Sequence, residues 1–173
     1  MGERPAYTPR AVRTFEPDLV PFPTIRQLID RARWTGSARN GQPWRFAAVR
    51  DSAVQDQLSR LGDYAALLRD APAVLVLLSP TAERRDTAFD LGRVAQSITI
   101  AADEAGLGSC VVSLYPEANA DRAARLVGAE PGWSAHHAIA LGRPRPAPRG
   151  RSAIPVGRRP TADLLRLVGA WPD

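Results

Sequence analysis

Lysine is absent from this chain: all 23 of its basic residues are arginine. A GC-rich coding sequence accounts for that bias without any functional reading. The single cysteine, Cys110, excludes an intrachain disulfide and fits a reducing compartment. With no companion cysteine, its default role is a buried structural thiol. The longest strongly apolar run, residues 71–78, falls far short of the roughly 20 residues a membrane helix needs. The opening Met-Gly-Glu-Arg-Pro carries no apolar stretch of signal-peptide type, so the expected location is cytoplasmic. Histidine occurs only at His136 and His137. Neighbouring residues on a strand point to opposite faces, so these two cannot chelate one metal, and a core or surface role is expected. There is no GxxxxGK(S/T) phosphate loop, no GxSxG elbow and no zinc-ligand spacing. Asp103 and Glu104 would project about 100° apart on a helix, poor geometry for a carboxylate pair. Neither a metal site nor a catalytic side chain is expected.

What remains is ordinary for a globular chain. Its 173 residues, 45% hydrophobic and 24% charged, suffice for one domain with its own core. The net charge of +5 favours acidic partners, whether nucleic acid, a phosphate-bearing cofactor or an anionic surface. The arginines are scattered, however, and often stand three or four residues from an acid, as in Asp30/Arg33 and Asp121/Arg125. Scattered charge reads as a solvated face. With no nucleic-acid reading motif and no aromatic stacking platform, a basic nucleic-acid-binding domain is the weakest reading.

Hydrophobic spacing lays out alternating helices and strands, an α/β or α+β arrangement. Five prolines keep residues 1–23 irregular and extended. Thr24 is placed to cap a helix bearing Ile25, Leu28, Ile29 and Ala32 on one face. A strand is expected over 45–50, a helix over 52–61, and a short helix ending near Arg69. Residues 73–78 form a continuous apolar run between prolines, the mark of a strand buried on both faces. The longest helix should span 86–105, central and buried, with Gly106 just past its end. Strands over 110–114 and 136–141 enclose a helix over 120–127. Residues 143–173 begin with a stretch rich in proline and arginine and end in an amphipathic segment at 162–168, an arm suited to lie along a partner subunit.

The informative stretch is Ser37-Ala38-Arg39-Asn40-Gly41-Gln42-Pro43-Trp44. Ser37, Arg39, Asn40 and Gln42 supply donors and acceptors within six residues, between a helix and a strand. Pro43 should hold Gln42 extended, and Gly41 should let the backbone approach a ligand closely. Such a loop suits a planar heterocycle with a donor–acceptor edge. It also suits a plain polar connection with Trp44 plugging the core.

Ala32-Arg33-Trp34 followed by SxxNxQPW and a strand resembles the FMN-dependent nitroreductase family. Arg10-Ala11-Val12-Arg13-Thr14-Phe15 is similar to its N-terminal flavin-wrapping element, with Pro9 and Ala11 standing where that element has arginine and serine. Tyr64 through Leu78, Asp90 through Ser97, Gly106 through Cys110, Leu141-Gly142-Arg143-Pro144 and Arg158-Arg159-Pro160 extend the resemblance along most of the chain. It implies an α+β fold, a mostly antiparallel sheet flanked by helices, spanning residues 1–173 as one domain. It also implies a homodimer with FMN at its interface, the 143–173 arm reaching the partner subunit. Ser37, Ala38, Arg39, Asn40 and Gln42 would contact the flavin, and the Ser113–Leu114 backbone its N5. Arg10, Arg13 and one of Arg158 and Arg159 would hold the phosphate. The implied reaction passes electrons from NAD(P)H through the flavin to a nitro compound, quinone or similar acceptor. A flavin-binding relative with little turnover is the alternative.

Overall fold

The computed structural model describes residues 9–82, 85–146 and 157–171. Helix α1 (Phe22–Ala32) opens the regular structure, and a 3₁₀ turn at Ala38–Asn40 leads into β1 (Arg45–Val49). Then come α2 (Ser52–Leu58), a 3₁₀ turn at Ala65–Leu68, β2 (Ala73–Pro80) and α3 (Thr87–Glu104). Strand β3 (Gly108–Ser113), α4 (Glu117–Leu126), β4 (Trp133–Gly142) and the single turn α5 (Thr161–Leu164) complete the chain. The four strands form one sheet in the order β1-β2-β4-β3, every pair antiparallel. The fold is therefore α+β, with the antiparallel sheet that the family resemblance implied.

Strand alternation explains the two cores. On β2 and β4, Leu75, Leu77, Ile139 and Leu141 turn toward α1 and α3, where they meet Leu28, Val94 and Ile98. Val74, Val76, Ala138 and Ala140 turn the other way, against Leu58, Leu68 and Ala123. Strand β2 is buried on both faces because helical elements cover both sides of it, as its unbroken apolar run anticipates. Small residues on β4 let the second layer pack closely. The central helix α3 ends as expected, with Gly106 at φ 71° reversing the chain into β3.

Several boundaries differ from the sequence expectation. Thr24 does not cap α1; Pro21 holds the extended cap position and Pro23 lies in the first turn, where a missing N–H costs nothing. Asp51 caps α2 by accepting from Ala53 and Val54, but that helix stops at Leu58, three residues early. Strand β3 starts at Gly108, two residues before Cys110, and α4 starts at Glu117. Only one helical turn forms in the terminal amphipathic stretch, and Leu164, Leu165, Leu167, Val168 and Trp171 stand exposed. Residues 1–8 and 147–156, part of the expected extended N-terminus and arm, lie outside the described residues. Of the N-terminal segment, residues 9–21 are irregular apart from two bridges, Ala11 to Ser109 and Phe15 to Pro144.

Candidate functional site

The Ser37–Trp44 loop is fastened to the N-terminal half of α3. Asp90, 3% exposed, accepts the Ala38 N–H at 2.9 Å. Arg93, beside Asp90 at 3.8 Å, donates to the Gly36 carbonyl at 2.6 Å. One turn further along, Thr35 and Ser97 share a hydroxyl hydrogen bond of 2.7 Å. The Ser37 hydroxyl closes the loop on itself by accepting the Gln42 N–H at 2.9 Å. Arg39 (φ 53°), Asn40 (φ 53°) and Gln42 (φ 44°) all adopt left-handed backbone, which costs roughly 1–3 kcal/mol per non-glycine residue. Strain of that kind persists only where the surroundings fix it, and the anchors on α3 do so. Gln42 is thus not extended. Its bonds to Ser37 and, through its carbonyl, to the Trp44 N–H outweigh the preference imposed by Pro43. Gly41 carries no special conformation here. Trp44 does plug the core, 8% exposed, while Arg39, Asn40 and Gln42 remain exposed. The loop thus combines a buried anchor with a displayed polar edge.

The second group of expected residues lies beside the start of β3. Val12 donates its N–H to Ser109 at 2.8 Å, laying the N-terminal segment along the open edge of the strand. The approach is so close that a Cβ on Gly108 would come within 2.7 Å of Val12. Arg10 and Arg13 are exposed, and neither forms an ion pair among the described residues. Burial pushes the Cys110 thiol above its ordinary pKa, and the nearby positive charge of Arg13 pulls partly against it. A buried, protonated thiol is the structural role expected of this cysteine.

At the far end of β3, Leu114 donates its N–H to His136 at 2.8 Å and buries its side chain. The ladder alternation therefore turns the Ser113 amide outward, away from β4. The carbonyl of Ser113 faces Gly62, where a Cβ would come within 2.3 Å of it. Of the two residues expected to meet a ring nitrogen, Ser113 has its amide on the open side. Here a cavity of about 560 Å³ opens between α3 and the sheet, lined by Leu77, Leu91, Ala95, Val111 and His137 among others. Burial lowers the His137 pKa first and the neighbouring His136 second. His136 turns to α4, its Nε2 2.9 Å from the Glu117 carboxylate. The two histidines do part company, as neighbouring strand residues must. Sequence reasoning missed His137 as a cavity residue and Asp90 as the loop's anchor; no short motif links either to its distant neighbours.

Within one chain these groups do not converge. The loop sits at the N-terminal end of α3, and the Arg10–Arg13 segment sits beside the strand that follows its C-terminal end. From Asp90 to Glu104 the helix rises about 21 Å. Arg158 and Arg159 are exposed, and Arg158 donates to the Gly157 carbonyl.

The profile of the Nitroreductase family matches residues 8–66 and 55–143. This chain belongs to the nitroreductase family. It is a family of oxidoreductases. The chain is 28% identical over 112 residues to a provisionally named NADH dehydrogenase/NAD(P)H nitroreductase of Methanothermobacter thermautotrophicus, covering 63% of this chain and 59% of that relative. The match thus spans somewhat under two thirds of that relative's length. Among solved structures, a nitroreductase family protein from Streptococcus pneumoniae superposes with a TM-score of 0.75 at 18% identity, covering 91% of this chain and 95% of that one. An FMN-dependent nitroreductase from Clostridium difficile gives 0.72 at 20% identity, covering 86% and 90%. At such identities the superpositions establish the fold alone. No helix among the described residues of this nitroreductase-family chain is long and apolar enough to cross a membrane.

Proposed function

We propose that this chain is an FMN-dependent oxidoreductase that carries electrons from NAD(P)H to a nitro compound, quinone or similar small acceptor. In this reading it works as a cytoplasmic homodimer with two flavin sites at its interface. The observation that carries the reading is the separation of the polar loop from the two uncommitted arginines by the length of α3. A two-fold axis across α3 lays the helix antiparallel to its copy and brings the loop of one chain to the β3 edge of the other. The exposed stripe Ala88, Gly92 and Gln96 provides a close-approach surface along the rim of the cavity.

The residues present fit FMN. Arg10 and Arg13 are planar cations without carboxylate partners among the described residues, suited to a phosphate dianion, with Arg158 or Arg159 completing the grip. The cavity floor of Leu77 and Val111 suits a planar aromatic ring, and the Ser113 amide, turned away from β4, would donate to N5. Ser37, Ala38, Arg39, Asn40 and Gln42 would frame the polar side of that ring from the other copy. Bound flavin supplies the hydride chemistry itself. The chain's part is to bind, to orient and to keep one ring face apolar. No covalent catalyst is needed.

Anaerobic addition of NADH or NADPH to the FMN-loaded protein tests the reaction. Bleaching of the flavin's visible bands, and their return with a quinone, is the expected result. Flavin uptake without reduction by either nicotinamide would favour a binding protein with little turnover, a reading to which Pro9 and Ala11 lend support. Failure to take up FMN at all would contradict the proposal.

A further inference from the structure

Across the sheet, Leu77 on β2 pairs with His137 on β4, and His137 pairs with Ser113 on β3. Paired residues share a face, so this row lies on the side of the sheet that looks toward α3. His137 therefore stands between an apolar floor residue and the strand whose amide faces outward. The cavity wall contributed by α3 is Leu91 and Ala95, with Gln96 at the rim. The charged residues of α3 nearest the cavity, Asp90 and Arg93, turn instead to Ala38 and Gly36. From β2 and β3 the facing groups are Leu77, Val111 and Ser113, none titratable. Within β4, His136 directs its imidazole to Glu117. The lining thus holds two titratable side chains from the sheet: His136, committed to Glu117, and His137, which no carboxylate among the lining residues compensates.

We propose that His137 is the proton-coupling residue of the flavin site, neutral against the oxidised ring and protonated against the reduced one. This inference rests on the flavin reading above. The physical argument is charge balance. A hydride from the nicotinamide delivers two electrons and one proton to the ring and leaves it with a negative charge. In a cavity walled by Leu77, Leu91, Ala95 and Val111, that charge is poorly solvated. An imidazole facing it gains affinity for a proton, because an opposite charge within a few ångströms favours the charged form. The proton comes from solvent, and oxidised nicotinamide leaves. When a quinone takes the hydride back from the ring, His137 returns its proton to the other quinone oxygen, giving the hydroquinone and neutral imidazole. His137 acts on the ring and acceptor through charge and a proton, with no covalent step.

The test is the midpoint potential of the FMN-loaded protein between about pH 7 and about pH 8. Each proton taken up with two electrons contributes about 30 mV per pH unit. The wild-type slope is expected to approach twice that value, and His137→Gln to return it to the single-proton slope. A second readout needs no variant: the chain has two histidines, so imidazole NMR resolves both rings before and after dithionite reduction. One ring should gain a proton on reduction and the other, paired with Glu117, should change little. Flavin uptake with equal slopes and two unresponsive imidazoles would overturn the role of His137 while leaving the flavin reading intact. A protein that takes up no flavin would overturn both.

Discussion

Arg13 and Arg10 are exposed guanidiniums with no ion-pair partner among the described residues, although acidic side chains elsewhere in the chain engage arginine readily. In the proposed site this charge, carried on a segment pinned to β3, meets the flavin phosphate. A charge-assisted hydrogen bond contributes about 1.5–3 kcal/mol, so Arg13→Ala should weaken FMN binding roughly 10- to 100-fold with little change in melting temperature. Fluorescence titration with FMN checks this; unaltered affinity would remove Arg13 from the site. His137 makes a prediction about stability. Its pKa in the folded chain lies below its ordinary 6.5, so below about pH 6.5 the unfolded chain binds a proton that the folded chain does not. Stability should be fully present above that pH, decline as the pH falls through it, and level off below the folded value. Denaturant melts across this window should show the decline in wild type and a flatter profile in His137→Gln. The sequence singled out the arginines because they stand in a recognisable element, and it showed that the histidines diverge. It did not reveal which histidine meets a cavity, since that depends on which sheet face α3 covers.

Among the elements, the loop and its anchor on α3 form one unit. Removing the carboxylate in Asp90→Ala strands the Ala38 N–H and frees three left-handed residues from their restraint. A loss of about 1–3 kcal/mol in stability is expected, together with faster FMN release, measurable by stopped-flow fluorescence. Gly108→Ala tests the other half. A methyl group there meets Val12 at 2.7 Å and must displace the segment that carries Arg10 and Arg13, so FMN affinity should fall although no ligand contact is removed. The long central helix, the doubly buried β2 and the glycine after α3 were legible because period and punctuation state them outright. Ends were less legible. Pro21 and Pro23 opened α1 where Thr24 was the expected cap, because a proline in the first turn costs no hydrogen bond. Gln42 escaped the extended backbone expected before proline because two hydrogen bonds of the folded loop compete with a local preference.

For the whole molecule, the proposed flavin site sets a geometric problem: its two halves lie at opposite ends of α3. A second copy is the economical answer, and α3 offers the surface. Gly92 is exposed on that stripe with nothing within 4 Å of where a Cβ would stand, so Gly92→Arg should leave the fold intact yet prevent close helix contact. Light scattering should then report a monomer, and flavin should be lost with the dimer. The exposed apolar residues from Leu164 to Trp171 fit the same picture, as an arm awaiting a partner surface. The sequence implied this assembly through family resemblance; composition and periodicity alone could not, because an interface helix and a core helix share the same small residues. The most direct measurement uses two disabled chains, one Arg10→Ala/Arg13→Ala and the other Arg39→Ala/Asn40→Ala, co-expressed with different tags. If the site is shared, each mixed dimer holds one site with intact arginines from one chain and an intact loop from the other. Random pairing then restores about one quarter of the wild-type FMN per chain, although neither variant alone retains it. No recovery of FMN in mixed dimers would contradict a flavin site built between two copies.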